Sequence, residues 1–263
     1  MIVERLWPAN AWRNFHYLVA CEATGEALAI DPLDWSLCLA HAQARGWTIT
    51  DILNTHEHGD HIGGNEPLRA ATGARVLAHA AAAARLPHLD RGLEDGERIR
   101  IGRHVELECL DTPGHTRAHL CLLAHADTPV LFCGDTLFNA GAGNCHHGGD
   151  PELLYETFTR RLARLPETTL IHPGHDYLAR NLAFTLAREP SNETAQTLLA
   201  SLAGREGASA PVTTLAQERD INTFLRLQSL EVIEGLRREF PSLPRHPDPR
   251  SVFLALRELR NRW

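Results

Sequence analysis

Lysine is absent from this 263-residue chain: all 26 basic residues are arginine. Schiff-base chemistry on a lysine is therefore excluded. There is no apolar run of about 18 residues, the length a membrane-spanning helix needs. The opening stretch, MIVERLWPANAWRNF, has no apolar core of useful length and does not read as a secretory signal. The six cysteines (Cys21, Cys38, Cys109, Cys121, Cys133, Cys145) form no C-x-x-C pair and mostly sit in apolar runs. That points to buried free thiols rather than disulfides or a thiolate zinc site, and to a reducing, cytoplasmic setting. Internal repeats and low-complexity tracts are also missing. The formal net charge of −7 argues against general nucleic-acid binding. Neither a membrane nor a protein partner is implied. Positive charge concentrates late, at Arg237, Arg238, Arg245, Arg250, Arg257, Arg260 and Arg262. A basic lip on an acidic protein suits a small anionic substrate, while solvated helix faces account for more than half of these residues.

What the chain has instead is histidine, and one run of it stands out: Thr55-His56-Glu57-His58-Gly59-Asp60-His61. A histidine pair at this spacing is ordinary among 16 histidines, but the full H-x-H-x-D-H string is not. Imidazole and carboxylate are ligands that zinc and iron take readily. His56 and His58, two apart, point the same way from an extended strand end. Gly59 then permits a tight turn that aims Asp60 and His61 at a second nearby point, so one loop can feed two metal ions. The run 48–54 (TITDILN) reads as the strand that launches the loop. Pro67 fits the first turn of a following helix, with Asn65 as its cap.

Further ligand candidates follow three other expected strands. Asp111-Thr112-Pro113-Gly114-His115-Thr116 follows the alternating run 105–110. Cys133-Gly134-Asp135-Thr136-Leu137-Phe138 follows the apolar run 130–132, and His172-Pro173-Gly174-His175-Asp176-Tyr177 follows 169–171. In each, a glycine directly precedes the His or Asp and permits a sharp turn. Together with the first loop they supply seven ligands.

Earlier in the chain, 15–21 and 27–30 read as short strands and 35–45 as a helix stopped by Gly46. Strands and helices alternate to about Ile171. After His175 the texture is helical, over 177–188, 192–202, 215–227, 230–240 and 249–262. Thr214 with Gln217 has the form of a capping box. Residues 204–211 read as a small-residue loop, and Pro241, Pro244, Pro247 and Pro249 mark a stiff linker before the last helix.

The motifs THEHGDH at 55–61, TPGHT at 112–116, GDTLF at 134–138 and PGHDY at 173–177 resemble those of the metallo-β-lactamase superfamily. NLAFTL at 181–186, INTFLRL at 221–227 and VFLALRELRNRW at 252–263 narrow the resemblance to glyoxalase II, the hydroxyacylglutathione hydrolases. The likeness covers essentially the whole chain. It implies an α/β fold, the αββα metallo-β-lactamase sandwich over residues 1–172, with a C-terminal all-helical, glutathione-binding domain over 173–263. It implies two divalent metal ions, zinc first with iron or manganese as alternatives. One would be held by His56, His58 and His115, the other by Asp60, His61 and His175, with Asp135 and a hydroxide bridging them. Asp60 would also orient that hydroxide. The implied reaction is hydrolysis of S-D-lactoylglutathione to glutathione and D-lactate by attack of the bridging hydroxide.

Family likeness also assigns substrate contacts to Tyr177 and to Arg257 and Arg260, which lie three apart and so share one helix face. One segment departs from the pattern. Where the family reads A-G-C-G-(Lys/Arg) and then two aromatics, this chain reads Ala140-Gly141-Ala142-Gly143-Asn144-Cys145-His146-His147. Asn144 and His146 then fall at the glutathione-arm positions, with a charge and a stacking surface lost. His146 and His147 read as supporting or substrate-contacting residues, since seven ligand positions are already filled. Three competing readings fit the motifs: a glutathione persulfide dioxygenase with a single iron on His58, His115 and Asp135, another hydrolase of the fold such as a lactonase or β-lactamase, and a non-catalytic scaffold. Metal count and oxygen uptake separate the dioxygenase from the hydrolases.

Overall fold

A computed structural model describes residues 1–205 and 207–263. The strands form two six-stranded mixed sheets. The first is built in sequence order from β1 (Ile2–Leu6), β2 (His16–Ala20), β3 (Glu26–Ile30), β4 (Thr48–Leu53), β5 (Arg75–His79) and β6 (Arg91–Leu93). β1 to β3 pair antiparallel, and β3 to β6 pair parallel. The second sheet comprises β7 (Arg98–Ile101), β8 (Val105–Asp111), β9 (Leu120–Ala124) and β10 (Val130–Gly134). A two-stranded ribbon, β11 (Leu137–Phe138) and β12 (Gly141–Ala142), follows β10. β13 (Leu170–Pro173) and β14 (Thr213–Thr214) complete the second sheet, in the order β14-β13-β10-β9-β8-β7.

Helices cover both outer faces. α1 (Trp35–Ala44), α2 (Gly59–Ile62) and α3 (Asn65–Thr72) belong to the first half. α4 (Pro151–Glu156), α5 (Leu178–Arg188), α6 (Glu193–Ser201), α7 (Leu215–Ile221), α8 (Leu230–Glu239) and α9 (Pro249–Asn261) belong to the second. The sandwich follows from strand periodicity. In β9, Leu120, Leu122 and Ala124 enter the core between the sheets, while Cys121 and Leu123 face the outer helical layer. β10 divides the same way, with Val130 and Phe132 inward and Leu131 and Cys133 outward. On the far side, Leu18, Ala29, Ile52 and Val76 meet Cys38, Ala42 and Leu68 from α1 and α3. This is the αββα arrangement with a helical C-terminal region.

Most expected elements match within a residue or two, and the capping box of Thr214 and Gln217 is present. Two differ. Asn65 is the first residue of α3, not its cap, because its side chain is exchanged with Asn54 in a pair of amide bonds at 2.7 and 3.2 Å. The helix expected over 215–227 breaks at Asn222, whose backbone is extended. Its side chain bonds Phe224 N, Gly141 O and Glu218 instead, a competition typical of asparagine. A 3₁₀ turn, Thr223–Leu225, follows. Within the expected loop 204–211, Gly207–Ser209 forms a 3₁₀ turn, and residue 206 lies outside the described residues. Five cysteines are buried and free; Cys145 is half-buried.

Candidate metal centre

β8, β10 and β13 point the same way, because β9 is antiparallel to both β8 and β10 while β13 is parallel to β10. Their C-terminal ends therefore deliver His115, Asp135 and His175 to one edge of the second sheet. The loop after β4 meets them there from the first sheet, with His56 and His58 ahead of the single turn α2, which carries Asp60 and His61. All seven candidate ligands converge. Three groupings of them place their ligand atoms within 4.8 Å of one another: His56, His58 and His115; Asp60, His61 and His175; and His56, His61 and Asp135.

In the first cluster, His58 Nδ1 lies 3.1 Å from His56 Nε2 and 3.0 Å from His115 Nε2. In the second, His61 Nε2 and His175 Nε2 are 3.2 Å apart, with Asp60 Oδ2 at 3.7 and 3.4 Å from them. Asp135 spans the two. Its Oδ1 is 3.4 Å from His61 Nε2, and its Oδ2 is 3.5 Å from His115 and 3.3 Å from His175.

The outer nitrogens decide what the inner ones carry. Proton positions follow from the acceptors available. His115 Nδ1 donates to the carbonyl of Asn144 at 2.7 Å, and His175 Nδ1 to that of Trp12 at 2.8 Å. His58 Nε2 donates to the carbonyl of His147 at 3.1 Å. Thr55 Oγ1 gives its proton to Asp31 Oδ2 at 2.7 Å, so it accepts from His56 Nδ1 at 3.0 Å. His61 Nδ1 faces Asp31 Oδ2 at 3.0 Å. In the neutral rings of His56, His58 and His115 the inner nitrogens are then bare lone pairs, and lone pairs about 3 Å apart repel unless a cation lies among them. Among the described residues, Asp135 Oδ1 is likewise buried with no hydrogen-bond partner. The donor set thus fits divalent metal ions bound through nitrogen and carboxylate oxygen.

Electrostatics agree. Burial and the neighbouring histidines push His56 well below its ordinary pKa. Burial likewise pulls His115 down to about 4. Burial would also lower His61, but Asp135 and Asp31 outweigh it and hold His61 up at about 9. Burial would raise Asp135, yet His175, His61 and His115 hold it well below the carboxylate range. The field that draws a proton onto His61 is the field that attracts a metal cation.

The remaining sequence candidates are placed unevenly. Tyr177 stacks on His175 with ring centroids 5.0 Å apart and planes 3° apart, and its hydroxyl donates to the Trp12 carbonyl at 3.2 Å. Asn144 meets the centre through its carbonyl, while its side chain accepts the backbone N–H of His146. The His146 ring is exposed. Arg260 packs over Phe184 and donates to Asn181 at 3.2 Å. Arg257 is only 4% exposed, with its guanidinium directed at Ala142, Gly143 and Asn261.

Three supporting residues were missed in the sequence. Asp31 accepts Thr55 N–H at 2.8 Å as well as the Thr55 hydroxyl, and adopts φ 49°, uncommon for a residue other than glycine. His119 accepts the backbone N–H of Asp135 at 3.2 Å and stacks on His56. Trp12, an exposed side chain, supplies the carbonyl behind His175. An acid directly after an apolar strand, as at Asp31, is the one signal that pointed to any of them.

Residues 17–175 match the family model described as the metallo-beta-lactamase superfamily, and 176–263 match the one described as the hydroxyacylglutathione hydrolase C-terminus. The chain is 59% identical, over all of both chains, to a protein named hydroxyacylglutathione hydrolase from Polaromonas sp.. It is equally similar, again over both full lengths, to one of the same name from Nitrosococcus oceani. Among solved structures, ETHE1 from Myxococcus xanthus superposes with a TM-score of 0.68 at 29% identity, covering 99% of this chain and 98% of that one.

Proposed function

Because the chain belongs to the metallo-β-lactamase superfamily and, within it, to the hydroxyacylglutathione hydrolases, we propose that it cleaves S-D-lactoylglutathione to glutathione and D-lactate. It is a thioester hydrolase. The observation that carries the mechanism is the pair of clusters joined by Asp135. We assign His56, His58 and His115 to one metal ion, Asp60, His61 and His175 to a second, and Asp135 to both. Zinc is the first candidate, with iron and manganese as alternatives. When bound, such a pair acidifies a water into a nucleophile and polarises the thioester carbonyl.

The chain's own groups do the rest. The acceptors behind His115, His58, His175 and His56 fix which ring nitrogen keeps its proton, so that the other nitrogen of each ring faces the centre. Asp60 Oδ2 lies within 3.7 Å of two histidine nitrogens and orients the attacking oxygen by accepting its proton. The bond that breaks is carbon to sulfur. The departing thiolate has a pKa of about 8.5–9 and needs no dedicated acid. Tyr177, beside His175, and the 144–147 loop, beside His58 and His115, border the centre on opposite clusters and are the surfaces for the thiol arm. We take residues 1–172 as the catalytic domain and 173–263 as the helical substrate-binding domain.

Full-length identity to hydroxyacylglutathione hydrolases and the match of the C-terminal region favour hydrolysis over a single-iron dioxygenase. The test is loss of thioester absorbance on adding protein to S-D-lactoylglutathione, with His58→Ala in parallel. Fast loss abolished in the variant is expected. No loss with metal-loaded protein, and oxygen uptake with glutathione persulfide, would overturn the proposal.

A further inference from the structure

Arg257 sits on α9 beneath the loop that follows β12. Its Nη1 donates to the carbonyls of Ala142 at 2.8 Å and Gly143 at 2.7 Å. Its Nε and Nη2 both donate to Asn261 Oδ1, at 3.1 and 2.9 Å, and the Phe224 ring faces it at 5.5 Å. Only one N–H of the guanidinium is then unassigned, in a side chain almost wholly buried. Burial lowers its pKa to about 10, so it remains a cation at neutral pH.

The same loop has a second side. The carbonyl after Gly143, that of Asn144, accepts His115 Nδ1–H at 2.7 Å. Three residues on, the carbonyl of His147 accepts His58 Nε2–H at 3.1 Å. Just ahead of both, Gly143 is pressed so closely against the Asp135 carbonyl and the His115 ring that a Cβ has no room. A carbonyl turns with its peptide plane. Charge-assisted bonds to two successive carbonyls hold two successive planes, and so hold the main chain that leads into the next carbonyl.

We propose that Arg257 is a positioning residue for the metal centre: by clamping the Ala142 and Gly143 carbonyls it anchors the start of the loop whose next carbonyl, that of Asn144, orients His115. Arg257 thereby acts from behind a ligand of one metal ion. It also gives the C-terminal region a direct part in building the chemistry of the first. Lysine cannot replace it, because a point ammonium cannot hold two carbonyls and Asn261 in one plane.

This inference rests on the metal-centre reading, and the experiment separates the two. Metal affinity is measured by competition with a chromogenic chelator, and ligand geometry by the visible spectrum of the cobalt-loaded protein. Wild type is compared with Arg257→Met, Arg257→Lys and Asn261→Ser. Asn261 is exposed at the end of α9, so its replacement loosens Arg257 without opening the core. Arg257→Met is expected to lower affinity at one metal site by about 10–100-fold, the range for losing an outer partner of a metal ligand. Asn261→Ser gives a smaller loss at the same site, Arg257→Lys does not restore wild-type affinity, and the cobalt spectrum shifts in all three. A raised KM with unchanged metal affinity and spectrum would overturn the proposal and return Arg257 to the substrate. If Arg257→Met does not fold, Asn261→Ser decides: unchanged affinity and spectrum there overturn it equally. If the wild type binds no metal, the metal-centre reading itself fails.

Discussion

The carboxylate of Asp31 lies 3.0 Å from Nδ1 of His61, and neither side chain is more than 4% exposed. A buried carboxylate behind a ligand imidazole fixes its tautomer and raises its basicity. Asp31→Asn keeps the shape but can turn an amide N–H toward His61. The expected outcome is a fall of about 10–100-fold in affinity at the Asp60, His61 and His175 site. Chelator competition measures it, and equal affinities in wild type and variant would dismiss the role.

Removing metal tests the lone-pair argument at the level of stability. With the inner nitrogens facing one another unfilled, the protein stripped by chelation should melt lower. A metal held at 1,000 times its Kd contributes about 4 kcal/mol. Calorimetry with and without zinc checks it; identical melting curves would mean that the clusters bind nothing.

Glu218 links stability to pH. It is fully buried, accepting from Thr213 at 2.6 Å, Ala140 N at 2.8 Å and Asn222 at 3.0 Å. Burial nevertheless raises its pKa from 4.5 to about 6. Between those values the folded state holds the proton more tightly than the unfolded one, so stability falls as pH rises. The contribution is fully present below pH 4.5 and is lost as pH passes about 6. A shift of this size corresponds to about 2 kcal/mol. Urea midpoints for wild type and Glu218→Gln across that window give the answer. Parallel curves would contradict it.

Gly143→Ala should be among the most damaging single changes in the chain. The added methyl collides with the Asp135 carbonyl, which is backbone and cannot swing aside. A cost of about 3 kcal/mol or more is expected, above the usual range for overpacking. Loss of metal should accompany it. Thermal melting and metal content of the variant measure both, and a variant of wild-type stability would show that the 141–144 loop has slack.

Most of the fold and all seven candidate ligands were legible in the chain. The ligands stand in short motifs, each placed by a glycine-bearing turn at a strand end, so local spacing carried the information. The expected helix over 215–227 failed at Asn222, where a side chain bonding to Gly141, far along the chain, outweighed the helical pattern.

Residue order alone carried the candidate ligand chemistry, the alternation that gives two packed sheets, and the helical C-terminal region. What stands behind each candidate ligand came from the packing of distant segments. The partners of His115, His58 and His175 are main-chain carbonyls of Asn144, His147 and Trp12, and every residue has a carbonyl, so no letter of the sequence marks them. Arg257 and Arg260 share a helix face in sequence. The packing of α9 over Phe224 buried one under the metal-centre loop and left the other half-exposed, because burial belongs to the neighbours a face meets, not to the face itself.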